Sequence, residues 1–237
     1  MTAATDSLCV ALDGTDRGWI ESMAETLAGS AGWLKVGLEA FTAHGPGLVE
    51  RVVEAGPRLF LDLKLHDIPN TVRRAAANCA ALGVQMFNVH ASGGSAMLRA
   101  AVEGAREGTP GAPPKVLAVT VLTSLDADGL AELGIDRQPR ELVVHWARLA
   151  RECGLDGVVA SAREAAAIRE ACGPGFLVVT PGIRPAWAAT DDQRRIVTPA
   201  EAVARGADIL VVGRPITRAD DPAAAASRVL EEIGRGA

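Results

Sequence analysis

The chain contains no tyrosine, and aromatic residues make up 3% of it. Platforms that stack nucleic-acid bases need exposed aromatics, so that class is disfavoured from the start. A basic excess is missing too: Lys plus Arg number 24 against 29 Asp plus Glu, a formal net charge of −5. Such a surface lacks the electrostatic footprint of a nucleic-acid binder. No apolar run approaches the roughly 20 residues needed to cross a bilayer, which argues against a membrane partner. The opening stretch MTAATDSLCVALDGTD has no basic region and meets acidic residues early, so it does not read as a signal peptide. The four cysteines, at 9, 79, 153 and 172, form no Cys-x-x-Cys pair and have no histidine at zinc-finger spacing. They suggest no disulfide framework, and a reducing cytoplasm is the default compartment. Each lies in an apolar stretch and reads as a small core residue.

What the chain does have is 49% apolar residues in 237, enough to bury a large aliphatic core without staples. Short runs rich in Val, Leu and Ile recur along it: Leu8–Leu12, Trp33–Val36, Leu59–Leu63, Val84–Val89, Val116–Leu122, Gly157–Ala160, Phe176–Thr180 and Ile209–Val212. Most are near-continuously apolar, as expected for parallel strands covered on both faces. Between them lie Ala-rich stretches of helical periodicity: Trp19–Ala28, Gly47–Glu54, Asn70–Leu82, Ser95–Glu107, Pro139–Glu152, Arg163–Ala171 and Pro199–Arg205, with Pro222–Ile233 closing the chain. Thr198 and Asp221 stand where N-caps belong, and Gly83, Gly154, Gly173 and Gly206 stand where helices end. Eight strand–helix units of this size predict an α/β fold, a single-domain (β/α)₈ TIM barrel over 1–237. A doubly wound open sheet is the alternative. It usually carries a Gly-rich turn after its first strand, which Asp13-Gly14-Thr15-Asp16 is not. The long segment at about 181–196 follows strand seven on the catalytic side and is expected to serve as a lid.

Active sites of such barrels are built at the C-terminal ends of the strands. There stand Asp13, Lys35, Asp62 with Lys64, Asp67 just beyond, Asn88, His90, Thr123 with Ser124, Thr180, Arg184 and Gly213-Arg214. The third strand, Leu61-Asp62-Leu63-Lys64-Leu65-His66-Asp67, is the most informative. Alternation puts Asp62 and Lys64 on one face and the leucines on the other. The leucines suit the helix layer, which places the charged pair in the barrel mouth. A buried carboxylate and ammonium are tolerable only when paired, and Lys35 on the neighbouring strand reaches the same pair. A lysine held charged between Asp62 and Asp67 is a proton donor or carbanion partner and a poor amine nucleophile, which weighs against a Schiff-base aldolase. After strand eight, Gly213 lets a backbone N–H approach an anion and Arg214 offers a bidentate grip on phosphate, with Gly182 and Arg184 closing the other side. No metal site is expected: His66 points away from Lys64, and the lysine would compete with a cation. His90 reads as a hydrogen-bonded structural histidine.

The run Asp62-Leu63-Lys64-Leu65-His66-Asp67-Ile68-Pro69-Asn70-Thr71-Val72 closely resembles the signature of the orotidine 5′-phosphate decarboxylase family. The blocks Ala11-Leu12-Asp13, Lys35-Val36-Gly37, Asn88-Val89-His90-Ala91, Val121-Leu122-Thr123-Ser124, Pro181-Gly182-Ile183-Arg184, Asp191-Asp192-Gln193-Arg194-Arg195 and Val212-Gly213-Arg214-Pro215-Ile216 follow in the family's order. The resemblance implies cofactor-free conversion of orotidine 5′-monophosphate to uridine 5′-monophosphate and CO₂, closing de novo UMP synthesis. It makes Lys64 the proton donor to pyrimidine C6, sets Asp62 against the substrate carboxylate and completes the charge array with Lys35. It has Asp67 and Thr71 reach into the site of a second copy in a homodimer. Asp13 and Lys35 are implied at the ribose, Thr123 and Ser124 at the pyrimidine, Gln193 between base and phosphate, and Gly213, Arg214 and Arg184 at the phosphate.

Other readings remain. The sister sugar-phosphate enzymes, 3-keto-gulonate-phosphate decarboxylase and hexulose-phosphate synthase, share Asp-x-Lys-x-x-Asp but use Mg²⁺ and usually carry an acidic residue where this chain has Lys35. A non-catalytic barrel would have no reason to keep the whole charged set.

Overall fold

The computed structural model describes residues 4–188 and 197–236. Eight parallel strands close into a barrel in chain order: β1 (Leu8–Ala11), β2 (Trp33–Gly37), β3 (Arg58–Leu65), β4 (Met86–His90), β5 (Lys115–Val119), β6 (Gly157–Val159), β7 (Leu177–Thr180) and β8 (Ile209–Val212). The predicted TIM barrel is the observed fold. Around it run α1 (Arg17–Thr26), α2 (Leu38–His44), α3 (Pro46–Glu54), α4 (Pro69–Ala81), α5 (Gly94–Gly108), α6 (Ala127–Glu132), α7 (Pro139–Glu152), α8 (Ala165–Cys172), α9 (Pro199–Ala204), α10 (Arg214–Thr217) and α11 (Pro222–Gly236). The short helices α2, α6 and α10 occupy stretches that the sequence pattern leaves as connections. Each is too brief for an apolar stripe to stand out. Strand β5 ends at Val119, three residues before the apolar run does, so Thr123 and Ser124 lie in the turn after the strand.

Strand parity sorts the core into two compartments. One set of positions faces the helices and forms the large aliphatic cluster around Val10, Leu34, Leu61, Val89, Val158 and Leu210. The other fills the barrel axis with Cys9, Ala11, Trp33, Phe60, Met86, Leu117, Val179, Ile209 and Val211. Two of the few aromatics, Trp33 and Phe60, thus plug the barrel. All four cysteines are buried, as expected.

The bottom of the barrel is tied by a recurring contact. A polar side chain just before one strand accepts the backbone N–H of the preceding strand: Gln85 from Leu59 (2.7 Å), Asp156 from Val116 (2.8 Å) and Asp208 from Val178 (2.7 Å). Arg169 on α8 gathers the carbonyls of Gly173, Pro174, Phe176 and Gly206 and the Asp208 carboxylate. Contacts at this end stabilise the barrel and stay clear of the chemistry at the other. Helices α4 and α5 cross where Gly104 and Gly108 bring the backbones together: a Cβ would meet Arg73 O at 2.1 Å or Ala77 O at 2.2 Å. That close packing holds α4, whose first turn carries Thr71. Helix α9 begins with the capping box of Thr198 and Glu201, and Asp221 caps α11 by accepting from Ala224 N–H at 2.9 Å.

Candidate active site

One inward step above the plug, the residue type changes from apolar to charged or polar. Lys35 follows Trp33 on β2, Asp62 follows Phe60 on β3, Asn88 follows Met86 on β4, and Asp13 follows Ala11 just past β1. The Lys64 ammonium lies 2.7 Å from Asp62 Oδ1, while Lys35 Nζ lies 3.4 Å from Asp62 Oδ2 and 3.0 Å from Asp13 Oδ1. The result is an alternating row: Asp13, Lys35, Asp62, Lys64. Gly37 leaves room for it, since a Cβ there would sit 2.9 Å from Lys35 Nζ.

Electrostatics favour the ionised forms of Asp62 and Lys35. Burial alone would push the Asp62 carboxyl up, but the ammonium groups of Lys35 and Lys64 and the hydrogen bonds from Lys64 and Asn88 hold it below its ordinary value. Burial would likewise lower Lys35, and Asp62 and Asp13 outweigh it, so Lys35 is raised. Beneath them the Cys9 thiol, fully enclosed, is pushed up to about 12 by burial and is inert as a nucleophile.

The reason Lys64 reaches this row differs from simple alternation. Strands β3 and β4 pair at Leu61–Phe87 and again at Leu65–Val89, so three residues of β3 face the single residue Asn88. Within this bulge Lys64 adopts a left-handed backbone, φ 53°, the one non-glycine residue to do so among the described residues. Asn88, fully buried, answers both sides: its Oδ1 accepts the Lys64 N–H at 2.8 Å, and its Nδ2 donates to Asp62 Oδ1 at 2.7 Å. The sequence did carry a signal for Asn88, an amide at an inward position of an apolar strand, since buried amides need partners.

His66, expected to point away from Lys64, is exposed just past the end of β3, and its ring packs 5.5 Å from that of His90. His90 is lowered by burial, then by His66 and Lys64. Asp67 was to flank the Lys64 ammonium within the chain. It is exposed beyond the end of β3, and its carboxylate accepts the next backbone N–H, that of Ile68, at 2.6 Å. Thr71 on α4 and Ile68 are exposed beside it, Ile68 at 67%.

The remaining candidates ring the mouth. Thr123, Pro181 and Gly182 line a cleft of about 640 Å³ that runs from the β5 and β7 loops outward to the start of α7. Asp13, Lys35, Asp62 and Lys64 are not among its lining residues. Ser124 is exposed in the same turn as Thr123. Gly213 lies across from β1, where a Cβ would be 3.7 Å from that of Ala11 and 4.0 Å from Asp13 Oδ2. Arg214 follows it, exposed, at the start of α10, while Arg184 is buried after β7. Gln193, with most of the expected lid, lies outside the described residues. Among the described residues no three His, Cys, Asp or Glu side chains are grouped to hold a metal ion, and no helix is long and apolar enough to cross a membrane.

Comparison with known proteins agrees with this geometry. An orotidine 5′-phosphate decarboxylase from Moorella thermoacetica is 56% identical over 234 residues, covering 97% of this chain and 93% of that one. One from Geobacter sulfurreducens is 51% identical, covering 98% of each chain. The crystal structure of the enzyme of that name from Lactobacillus acidophilus superposes with a TM-score of 0.86 at 39% identity, over 96% of this chain and 99% of that one. The profile of the orotidine 5′-phosphate decarboxylase / HUMPS family matches residues 6–229, and the chain belongs to that family.

Proposed function

We propose that this chain decarboxylates orotidine 5′-monophosphate to uridine 5′-monophosphate without a cofactor, in the cytoplasm, as the step that completes UMP synthesis. The observation that carries the proposal is the Lys35–Asp62–Lys64 row, with the Lys64 ammonium 2.7 Å from Asp62 at the open end of a barrel of this family. Loss of CO₂ from C6 of the pyrimidine leaves a carbanion with no adjacent electron sink. An ammonium already in place stabilises that charge as it develops, with little reorganisation. Lys64 then hands its proton to C6, and the two electrons of the broken C–C bond end in the new C–H bond. Asp62 faces the departing carboxylate and pairs with both lysines. Asp13 and Lys35 hold the ribose, Thr123 and Ser124 the pyrimidine, and Gly213, Arg214 and Arg184 the phosphate. The phosphate is remote from the reacting carbon, so its binding energy is free to bring the 181–196 segment with Gln193 over the base. The exposure of Asp67, Ile68 and Thr71 supports a homodimer in which Asp67 and Thr71 complete the partner's site.

The test uses metal-stripped protein in EDTA with orotidine 5′-monophosphate, following the loss of substrate ultraviolet absorbance. Wild type is expected to turn over, and Lys64→Ala to lose on the order of 10⁴-fold or more in kcat, from the proton transfer and the charge stabilisation together. Folded wild type that is inactive until Mg²⁺ and a sugar phosphate are supplied would move the assignment to the sister enzymes.

A further inference from the structure

We propose that Asn88 is a positioning residue for this reaction: one buried amide sets both the backbone of Lys64 and the orientation of Asp62. The inference rests on the function proposed above and adds a residue to it.

The bulge in β3 leaves Asp62, Leu63 and Lys64 opposite the single β4 residue Asn88, out of regular register. Lys64 also carries the steric cost of a left-handed backbone, which a residue with a Cβ rarely adopts. A strained conformation persists only where its surroundings over-determine it. Asn88 supplies that determination from 24 residues away, taking the Lys64 N–H. Its other end binds Asp62 Oδ1, the same oxygen that holds the Lys64 ammonium. The orientation of the amide is decided by its neighbours: oxygen against an N–H, nitrogen against a carboxylate. Flipped, it would oppose like dipoles at both ends. Position 88 therefore needs a side chain that accepts and donates at a fixed separation. Leucine does neither, and ionised aspartate accepts at both ends and repels Asp62. Relaxation of the stitch would leave Lys64 present and charged but free to move by the ångström or so that costs about 100-fold in rate.

The experiment compares the intact wild-type protein with Asn88→Ala and Asn88→Asp, measuring kcat and KM for orotidine 5′-monophosphate, affinity for uridine 5′-monophosphate and thermal stability. Asn88→Ala is expected to lower kcat about 100-fold while KM and product affinity stay within about 3-fold, the signature of an interaction that matters in the transition state. Asn88→Asp is expected to be as impaired at neutral pH and to regain activity as pH falls, while wild type does not. Protonation lets the introduced carboxyl donate to Asp62 Oδ1 while its second oxygen accepts the Lys64 N–H. The charged or titratable groups facing it are Asp62 and Lys64 from β3, Lys35 from β2 and His90 from β4, and all of them are shared with wild type. An Asn88→Ala enzyme with wild-type kcat overturns the proposal. So does a loss spread equally over kcat and product affinity together with an Asn88→Asp profile parallel to wild type. If Asn88→Ala fails to fold, the Asn88→Asp profile decides alone. Inactive wild type would overturn the proposed function itself and this inference with it, whereas active wild type with an unimpaired Asn88→Ala removes only the role of Asn88.

Discussion

Asp62 and Lys64 are two positions apart in the chain, and their charged ends meet at 2.7 Å inside the barrel mouth. On a regular strand such a pair would stand side by side and reach upward together. Here the left-handed turn at Lys64 brings its ammonium back onto the carboxylate, whose other oxygen faces Lys35. Two cations are held on one anion, and the whole row is anchored on the apolar plug beneath.

The pairing sets a pH window for stability. Asp62 is depressed below its ordinary 3.8, so its stabilising contribution is complete above that value and is lost as pH falls through the lower native one. The stability difference between wild type and Asp62→Asn is expected to stay level from about pH 5 to 9 and to shrink below about pH 4. Urea unfolding across pH reads this directly. A difference that shrinks on the alkaline side would contradict it.

Gly37 is predicted to be a catalytic clearance. Its φ of −100° suits any residue, but a Cβ would press on Lys35 Nζ at 2.9 Å. Because the obstructed atom ends a flexible side chain, Gly37→Ala is expected to cost no more than about 1 kcal/mol in stability. The displaced charge should lower kcat about 10- to 100-fold. Calorimetry and steady-state kinetics on the same preparation separate the two effects.

Arg214 offers a cleaner view of the phosphate. Arg214→Ala is expected to raise KM for orotidine 5′-monophosphate about 10- to 150-fold, the loss of one charge-assisted hydrogen-bonding partner. The same variant should match wild type on orotidine, which lacks the phosphate. An equal loss on both substrates would place Arg214 elsewhere in the mechanism.

At the far end of the barrel the expectation reverses. Arg169→Met removes the contacts to four carbonyls and to Asp208, yet touches nothing in the charged row. A loss of about 2–3 kcal/mol is expected, lowering Tm by roughly 5–10 °C in a chain of this size, with kcat unchanged at 25 °C. A fall in kcat without a fall in Tm would break the division between the two ends.

The proposed homodimer with shared sites makes one further prediction. Lys64→Ala and Asp67→Asn proteins are each expected to be nearly inactive. Mixed under conditions that exchange subunits, they should recover about a quarter of wild-type activity, since half of the dimers are hybrids with one intact site. No recovery in a confirmed hybrid would place Asp67 in its own subunit's site.

The charged set was legible before any coordinate because strand ends can be found from runs of Val, Leu and Ile, and polar residues at those ends stand out against an aliphatic background. The barrel itself was legible for the same reason, its repeating period being a local property. The bounds were less so: the run through Leu122 continues past the end of β5 because apolar residues also line the turn that follows.

The sequence by itself determined the alternation of eight strands with helices, the inward placement of Lys35 and Asp62, and the family. These depend on side-chain period and on residue type, which neighbours in the chain specify. Only the tertiary structure decided the bulge in β3, the clamp from Asn88, the close crossing of α4 and α5 at Gly104 and Gly108, and the outward position of Asp67. Each of these arises where segments distant in the chain meet, and there hydrogen bonding and packing between elements override the local pattern.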